Sequence, residues 1–566
     1  MKLKIYSLFV LILCLKAANL NQYDLSYSTV YAQNTDNSNN SHNNNIENHP
    51  ELIKDLLREN FVSQNTYKTL QTDLNEILAN KELVNARYGI AVFSARLNDF
   101  IFTKNHKQLL VPASNTKLVT TFTTLDLFGE NYNFTTTVAT DGKIENGILN
   151  GNIYIVGGGD ALLTVSDIEI IADEIRKLGV KTINGNVYGD GSLFDKNTNR
   201  FSYSGDKDEV QATAPITALA IERNVVTVIV TSGATAGRPV SVQTKPASSA
   251  FTFSNNATVG GAANTRSSAM LNFDFSNDVF DFSLEKSKFN IETVAGDSKS
   301  QLYASNKKNT RSTSNPTITT SMQPDGKQNF TVRGSLPANR TFSYKHFINN
   351  PILVVAGVFK QRLEAGGITV NGEIGEKEVP KTAQTTNLFF FRRDINEAIQ
   401  IANKQSDNYI SEMLFKFNGS HPAFNKTPNT AQNATMALMQ TLENNRISTI
   451  GFMFNDGSGL SRRNLISAKA LVNILLQSRQ KSFGDNFKSS LSIAGVDGTL
   501  ARRMQNSLAQ NNLKAKTGTH RNVSSLAGLV ETQSGDTLYF AYIFNGKSAG
   551  IFKNIENQIS IKLAEY

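Results

Sequence analysis

Ser114, Lys117, Ser406, Asn408 and Lys516 are the residues of this 566-residue chain whose types and spacing can do chemistry together. They fall in three short motifs, in order: Ser114-Asn115-Thr116-Lys117, Ser406-Asp407-Asn408 and Lys516-Thr517-Gly518. In a chain of this composition a Ser-x-x-Lys arises by chance roughly three times and a Ser-x-Asn roughly five or six times, so neither carries weight alone. Lys-Thr-Gly is expected only about 0.2 times, and the order and setting of the three add the rest. The chemistry they can support is acyl transfer to a serine hydroxyl with lysine as the base. An aliphatic hydroxyl must lose its proton to a positioned base as it attacks a carbonyl. Residues three apart in a helix share a face, so Lys117 can bring its amine to the Ser114 hydroxyl. A lysine with the ordinary pKa of ~10.4 is protonated at pH 7. Burial, the partly positive helix start and the second lysine, Lys516, each disfavour the ammonium and make a neutral Lys117 attainable. The N–H groups of Ser114 and Thr519 are expected to receive the developing oxyanion. Ser406 is expected to relay a proton toward the leaving amine and Asn408 to hold a substrate amide. Lys516 and Thr517 are expected to bind a terminal carboxylate, with Thr517, Gly518 and Thr519 lining the oxyanion and substrate site.

These motifs need elements to hold them in place. Val111-Pro112-Ala113 precedes Ser114, and a helical stretch follows to about Leu127, closed by Gly129; a Pro just ahead of a Ser is a helix-start signal. Tyr88 to Ser94 and Asp99 to Phe102 read as a β-hairpin. Helical patterns recur over 347–366, 395–404, 408–417, 430–444 and 467–479, which places Ser406-Asp407-Asn408 between two helices. Two strands, Ser525 to Thr532 and Thr537 to Phe544, are joined by Ser534-Gly535-Asp536 and lead into a terminal helix; the third motif lies just before them. From about Gly142 to Asn339 the texture is short strands and turns, with helical periodicity only over Ser166 to Leu178. The expected fold is therefore α+β: an antiparallel sheet flanked by helices, built from residues 51–140 plus 340–566, around a β-rich insert at 141–339 with room for two nested subdomains.

Composition narrows the remaining classes. With 40% hydrophobic and 19% charged residues and a single Cys, the chain is neither a disulfide miniature nor a disordered polymer. The net charge of +9 is spread thinly, in short groups such as Lys307-Lys308 and Arg502-Arg503, so a nucleic-acid partner is not expected. Lys2 and Lys4 precede the apolar run Ile5 to Leu15, which reads as an export signal over residues 1–18 with cleavage near Ala17 or Ala18. No apolar run approaches the ~20 residues of a membrane span. Gln33 to Pro50 is an Asn-rich tract that reads as a disordered tether. If Cys14 leaves with the signal, thiol chemistry goes with it. Without Cys pairs or a His-Glu-x-x-His, neither metal nor cofactor is expected. A Ser-His-Asp arrangement through His520 is superfluous if Lys117 is the base.

Further segments run through most of the chain: Gly157-Gly158-Gly159-Asp160, Gly189-Asp190-Gly191-Ser192, Ala214-Pro215, Asp456-Gly457-Ser458-Gly459-Leu460-Ser461-Arg462 and Ala494-Gly495-Val496-Asp497-Gly498-Thr499. With the three motifs, they make the chain resemble the penicillin-binding D-alanyl-D-alanine carboxypeptidase/endopeptidase family that carries a large insert between the first and second motifs, the low-molecular-mass class C penicillin-binding proteins. The resemblance implies a serine β-lactamase/DD-peptidase-like (transpeptidase-like) domain and an acyl-enzyme on Ser114 that water hydrolyses. It also implies action on peptidoglycan stem peptides in the periplasm, with β-lactam antibiotics as covalent inhibitors. By the same resemblance, Asp208 or Asp206, with Arg462, would bind the amino-acid end of a diaminopimelate-type side chain. A β-lactamase and a non-catalytic peptidoglycan-binding scaffold are the alternative readings. The oligomeric state is left open.

Overall fold

The computed structural model describes residues 67–206, 211–260 and 315–566. The expected export signal (1–18), the tether (33–50), Leu52, Leu56 and Leu57 of the first helical pattern, and Asp208 lie outside these residues.

Strands from both ends of the chain form one six-stranded antiparallel sheet. Across it lie Ser492–Ile493, Lys514–His520, Val523–Glu531, Thr537–Asn545, Arg87–Ser94 and Asp99–Lys104. Successive side chains on a strand point to opposite faces. Ala91, Phe93, Leu529, Ala541 and Ile543 therefore face one core, and Ile90, Val92, Val530, Phe540 and Tyr542 face another. The first core is closed by helices Thr116–Phe128, Ile395–Lys404, Asn408–Gly419, Thr430–Asn444 and Ala468–Arg479, the second by a helix over 67–78 and by Ala549–Glu565. Burial on both faces explains why these strands are apolar throughout instead of alternating. Each fully buried Phe or Leu contributes roughly 1.5–3 kcal/mol. The helix ends follow local chemistry: Asn429 and Ser467 accept hydrogen bonds from Gln432 N and Ala470 N, and Gly129, at φ 80°, ends the Thr116–Phe128 helix.

Among the described residues, four further sheets surround a further core; they are built from the β-rich insert together with strands on either side of it, Asn133–Thr140 and those over 341–394. The largest has five strands, in the order Ile374–Glu376, Val187–Asp190, Ile153–Val156, Asn133–Thr140 and Thr386–Asp394. Helix Pro351–Ala365, which the sequence groups with the C-terminal part, packs here: Leu353, Val354, Val355, Val358 and Phe359 join Ile168, Ile171 and Ile175 of helix Val165–Lys177. A helical period shows that a face is buried, not against which sheet. Among the described residues no helix is long and apolar enough to cross a membrane.

Candidate active site

The first motif sits on a bend. Ala113 has φ +48°, a left-handed conformation that is unfavourable for a residue with a Cβ, and it turns the chain so that Ser114 enters the short 3-10 turn Ala113–Asn115 leading into Thr116–Phe128. Neighbouring strands hold the bend. The Asn545 carboxamide pins Val111 through both its N–H (2.9 Å) and its carbonyl (3.0 Å), and Ser525 Oγ donates to the Pro112 carbonyl at 2.6 Å. One helical turn on, Lys117 Nζ lies 3.0 Å from Ser114 Oγ, 2.8 Å from Asn408 Oδ1 and 2.6 Å from the Ser458 carbonyl oxygen. Lys117 is fully buried. Burial lowers its pKa to about 8, against the opposing pull of the Asp456, Glu412 and Asp407 carboxylates.

The other two motifs converge on the same point. Ser406 adopts φ +59° and accepts at Oγ from Lys516 Nζ at 2.8 Å; Lys516 also donates to the Thr517 carbonyl at 3.0 Å. Burial, and then repulsion by Lys117, push the Lys516 amine well below the usual lysine range. Asp407 caps the helix that begins at Asn408 by accepting from Ile410 N at 2.9 Å. The third motif is itself strand, within Lys514–His520, where the sequence placed it just ahead of one. Its polar composition hides the strand pattern, because here the side chains serve the site. Thr517 Oγ1 donates to Thr499 Oγ1 at 2.8 Å, and Thr519 is exposed. Gly518 is required by close approach: a Cβ there would stand 2.5 Å from the Pro112 carbonyl oxygen and 3.0 Å from Ser114 N.

A buried charged cluster supports this arrangement from behind. The 456–461 loop wraps its backbone N–H groups around two carboxylates. Asp456 accepts from Gly459 N (3.0 Å) and Ser461 N (2.7 Å), and Glu412 accepts from Ser458 N (2.8 Å). Arg200 of the insert donates to Asp456 at 3.0 Å, and Tyr203 donates to Glu412 at 2.7 Å. Burial, then Glu412, raise Asp456 to about 7, while Arg200 opposes the shift. The loop so held presents the Ser458 carbonyl to Lys117.

The full-length comparisons bear on this geometry. The model of the D-Ala-D-Ala carboxypeptidase 3 (S13) family matches residues 70–283 and 276–566. The chain belongs to this family. It is thus a serine-type hydrolase, and the S13 assignment spans both the sheet with its helices and most of the insert. It is 27% identical over 512 residues to the D-alanyl-D-alanine carboxypeptidase of Actinomadura sp. (strain R39), covering 88% of this chain and 85% of that protein. It is 24% identical over 478 residues to D-alanyl-D-alanine carboxypeptidase DacB of Haemophilus influenzae, covering 84% and 88%. The crystal structure of penicillin binding protein 4 (dacB) from Haemophilus influenzae shares the fold, with a TM-score of 0.60 at 21% identity over 88% of this chain and 98% of that one.

Of the residues expected at the site of this S13 protein, Ser114, Lys117 and Asn408 are joined by direct hydrogen bonds, Ser406 and Lys516 by another, and Gly518 abuts the Ser114 turn. The side-chain pocket is less direct. Asp206 is engaged by Arg200 Nη1 and Ser461 Oγ, both at 2.7 Å, and serves the buried cluster. Arg462 is exposed and donates to Asn522 Oδ1 at 2.6 Å, in the turn after the third motif. The sequence reading missed Ser458, Glu412, Arg200, Thr499 and Gln211. Glu412 stands one helical turn from Asn408, a spacing that could have drawn attention; a backbone carbonyl such as that of Ser458 leaves no trace in residue identity.

Proposed function

We propose that Ser114 is the nucleophile and Lys117 its base in hydrolysis of the terminal D-Ala-D-Ala bond of peptidoglycan stem peptides, and of D-Ala cross-links. The 3.0 Å separation between Ser114 Oγ, in the 3-10 turn, and Nζ of the fully buried Lys117 one turn on is the observation that carries this reading. The neutral amine takes the Ser114 proton as Oγ bonds to the carbonyl carbon, and N–H groups of Ser114 and Thr519 receive the oxyanion. The tetrahedral species collapses as the C–N bond breaks, and the proton held on Lys117 passes through Ser406 to the departing D-Ala amine, which returns Lys117 to its neutral form. Water, deprotonated by Lys117, then attacks the ester carbonyl; the bond to Ser114 Oγ breaks as Lys117 gives that proton to Oγ, which restores both residues. Lys516 and Thr517 bind the substrate carboxylate. A carboxylate beside Lys516 holds that amine charged, and the charged Lys516 in turn disfavours protonation of Lys117, so productive binding primes the base. Asn408 holds the amide of the preceding residue, and Arg462 with Asp208 remains the proposed contact for a diaminopimelate-type side chain.

An exported, periplasmic setting belongs to this reading, supported by the lysines and apolar run of residues 2–15. So does covalent capture by β-lactams, since an amide-like ring carbonyl meets the same nucleophile. Mass spectrometry of purified muropeptides after incubation with the protein tests the activity: loss of one alanine from pentapeptides, with splitting of cross-linked dimers, is expected. Unchanged muropeptides would overturn it.

A further inference from the structure

Lys117 is ringed by three acceptors, and only one of them can return a proton. A neutral amine has two N–H donors and one lone pair. The Ser458 carbonyl takes one donor at 2.6 Å and Asn408 Oδ1 takes the other at 2.8 Å, which leaves the lone pair facing the Ser114 hydroxyl. Reversing the Asn408 carboxamide would put an NH2 against Lys117, occupy that lone pair and turn an amine N–H toward Ser114. The orientation of one amide thus decides whether Lys117 acts as a base.

That amide is held from the insert. Asn408 Nδ2 donates to Gln211 Oε1 at 2.8 Å. Further along the insert, Arg223 Nη1 donates to Asp407 Oδ2 at 2.9 Å, gripping the residue next to Asn408. The backbone that presents Arg223 is unusual: Glu222, Arg223 and Asn224, none of them glycine, have φ of 49°, 55° and 57°. Its conformation is fixed by the Asn224 side chain, which bonds Ile221 N (3.1 Å) and the Pro215 carbonyl (2.8 Å), and by Glu222, which accepts from Val165 N (3.0 Å). The flanking Ile221 and Asn224 are fully buried, while the Arg223 side chain itself remains one-third exposed and reaches Asp407.

We propose that Gln211 and Arg223 are positioning residues of the catalytic centre, holding Ser406-Asp407-Asn408 from the insert so that the Asn408 oxygen faces Lys117. The inference rests on the reading of Lys117 as the base. It makes the insert part of the catalytic apparatus and not only a platform for substrate. The charged groups around Lys117 are Asp456 with its partner Arg200, Glu412, Lys516, and Asp407 with its partner Arg223.

The test is the rate of acylation by fluorescent penicillin from pH 6 to pH 9.5, with melting temperature as the check on folding. Gln211→Ala is expected to slow acylation about five- to tenfold across the range, the loss of one orienting hydrogen bond, without moving the acid limb. Gln211→Glu keeps the acceptor and restores the alkaline plateau, but its charge moves the limb to higher pH; it also keeps the test open should Gln211→Ala unfold. Arg223→Ala leaves Asp407 uncompensated and moves the limb to higher pH, and Arg223→Lys restores it. If the wild type labels and Gln211→Ala and Arg223→Ala both match it within twofold with the limb unmoved, the proposal is overturned. Failure of the wild type to label strikes the underlying acylation reading instead.

Discussion

At the scale of residues, the account turns on how a lysine becomes a base. Desolvation removes more from the charged form of Lys117 than the nearby carboxylates return, and the balance leaves its pKa at about 8. At pH 7 about a tenth of such a group is neutral, against less than about a thousandth for an ordinary lysine. If neutral Lys117 is the base, as proposed, acylation of Ser114 should rise with pH through a midpoint near pH 8, measured as the second-order rate constant with a chromogenic β-lactam. A flat profile from pH 6 to pH 9 would contradict the assignment. Lys117→Ala should lower that constant by a factor on the order of 10²–10⁴ while the melting transition stays cooperative. That these residues come together was legible in the sequence because each lies in a short ordered motif. Gln211 and Arg200 were not, since each acts across a contact between segments that no local spacing encodes.

At the scale of elements, the site exists because a strand lies against a helix start. Gly518 permits that approach, so Gly518→Ala should push the Lys516 strand from the Ser114 turn and cut acylation about a hundredfold, the effect of a ~1 Å misplacement of reacting groups. Acylation within threefold of the wild type would show that the contact yields freely. The insert offers a separate check. His346, on strand Thr341–Phe347, is buried edge-on against Phe330, and burial lowers its pKa to about 4. Its ordinary value is 6.5, so the unfolded chain binds this proton first, and stability is lost as pH falls from 6.5 toward 4. The contribution between pH 7 and pH 5 is about 2 kcal/mol. His346→Phe should therefore flatten the fall in melting temperature over that range, and an unchanged slope would refute it. Helix positions such as Thr430–Asn444 and Ala468–Arg479 were readable from apolar spacing; their caps, Asn429 and Ser467, come from the structure. The third-motif strand was not, because Lys-Ala-Lys-Thr-Gly-Thr-His carries the site's chemistry in place of a strand pattern.

At the scale of the whole molecule, strands over 87–104 and 492–545 share one sheet, and the insert returns to touch the centre it interrupts. Arg200 and Tyr203 hold the carboxylates that shape the 456–461 loop, while Gln211 and Arg223 hold the second motif. The α+β class and the presence of a β-rich insert could be read from the change in texture along the chain. The partners of helix Pro351–Ala365 could not, since its apolar face fits a helix of the insert as well as a sheet. The central claim is that Ser114, activated by Lys117, captures an acyl group, and peptide mapping after incubation with benzylpenicillin tests it most directly. The account predicts one penicilloyl adduct per chain, on the peptide containing Ser114, absent from Ser114→Ala. An unmodified wild type, or an adduct on another residue that persists in Ser114→Ala, would contradict it.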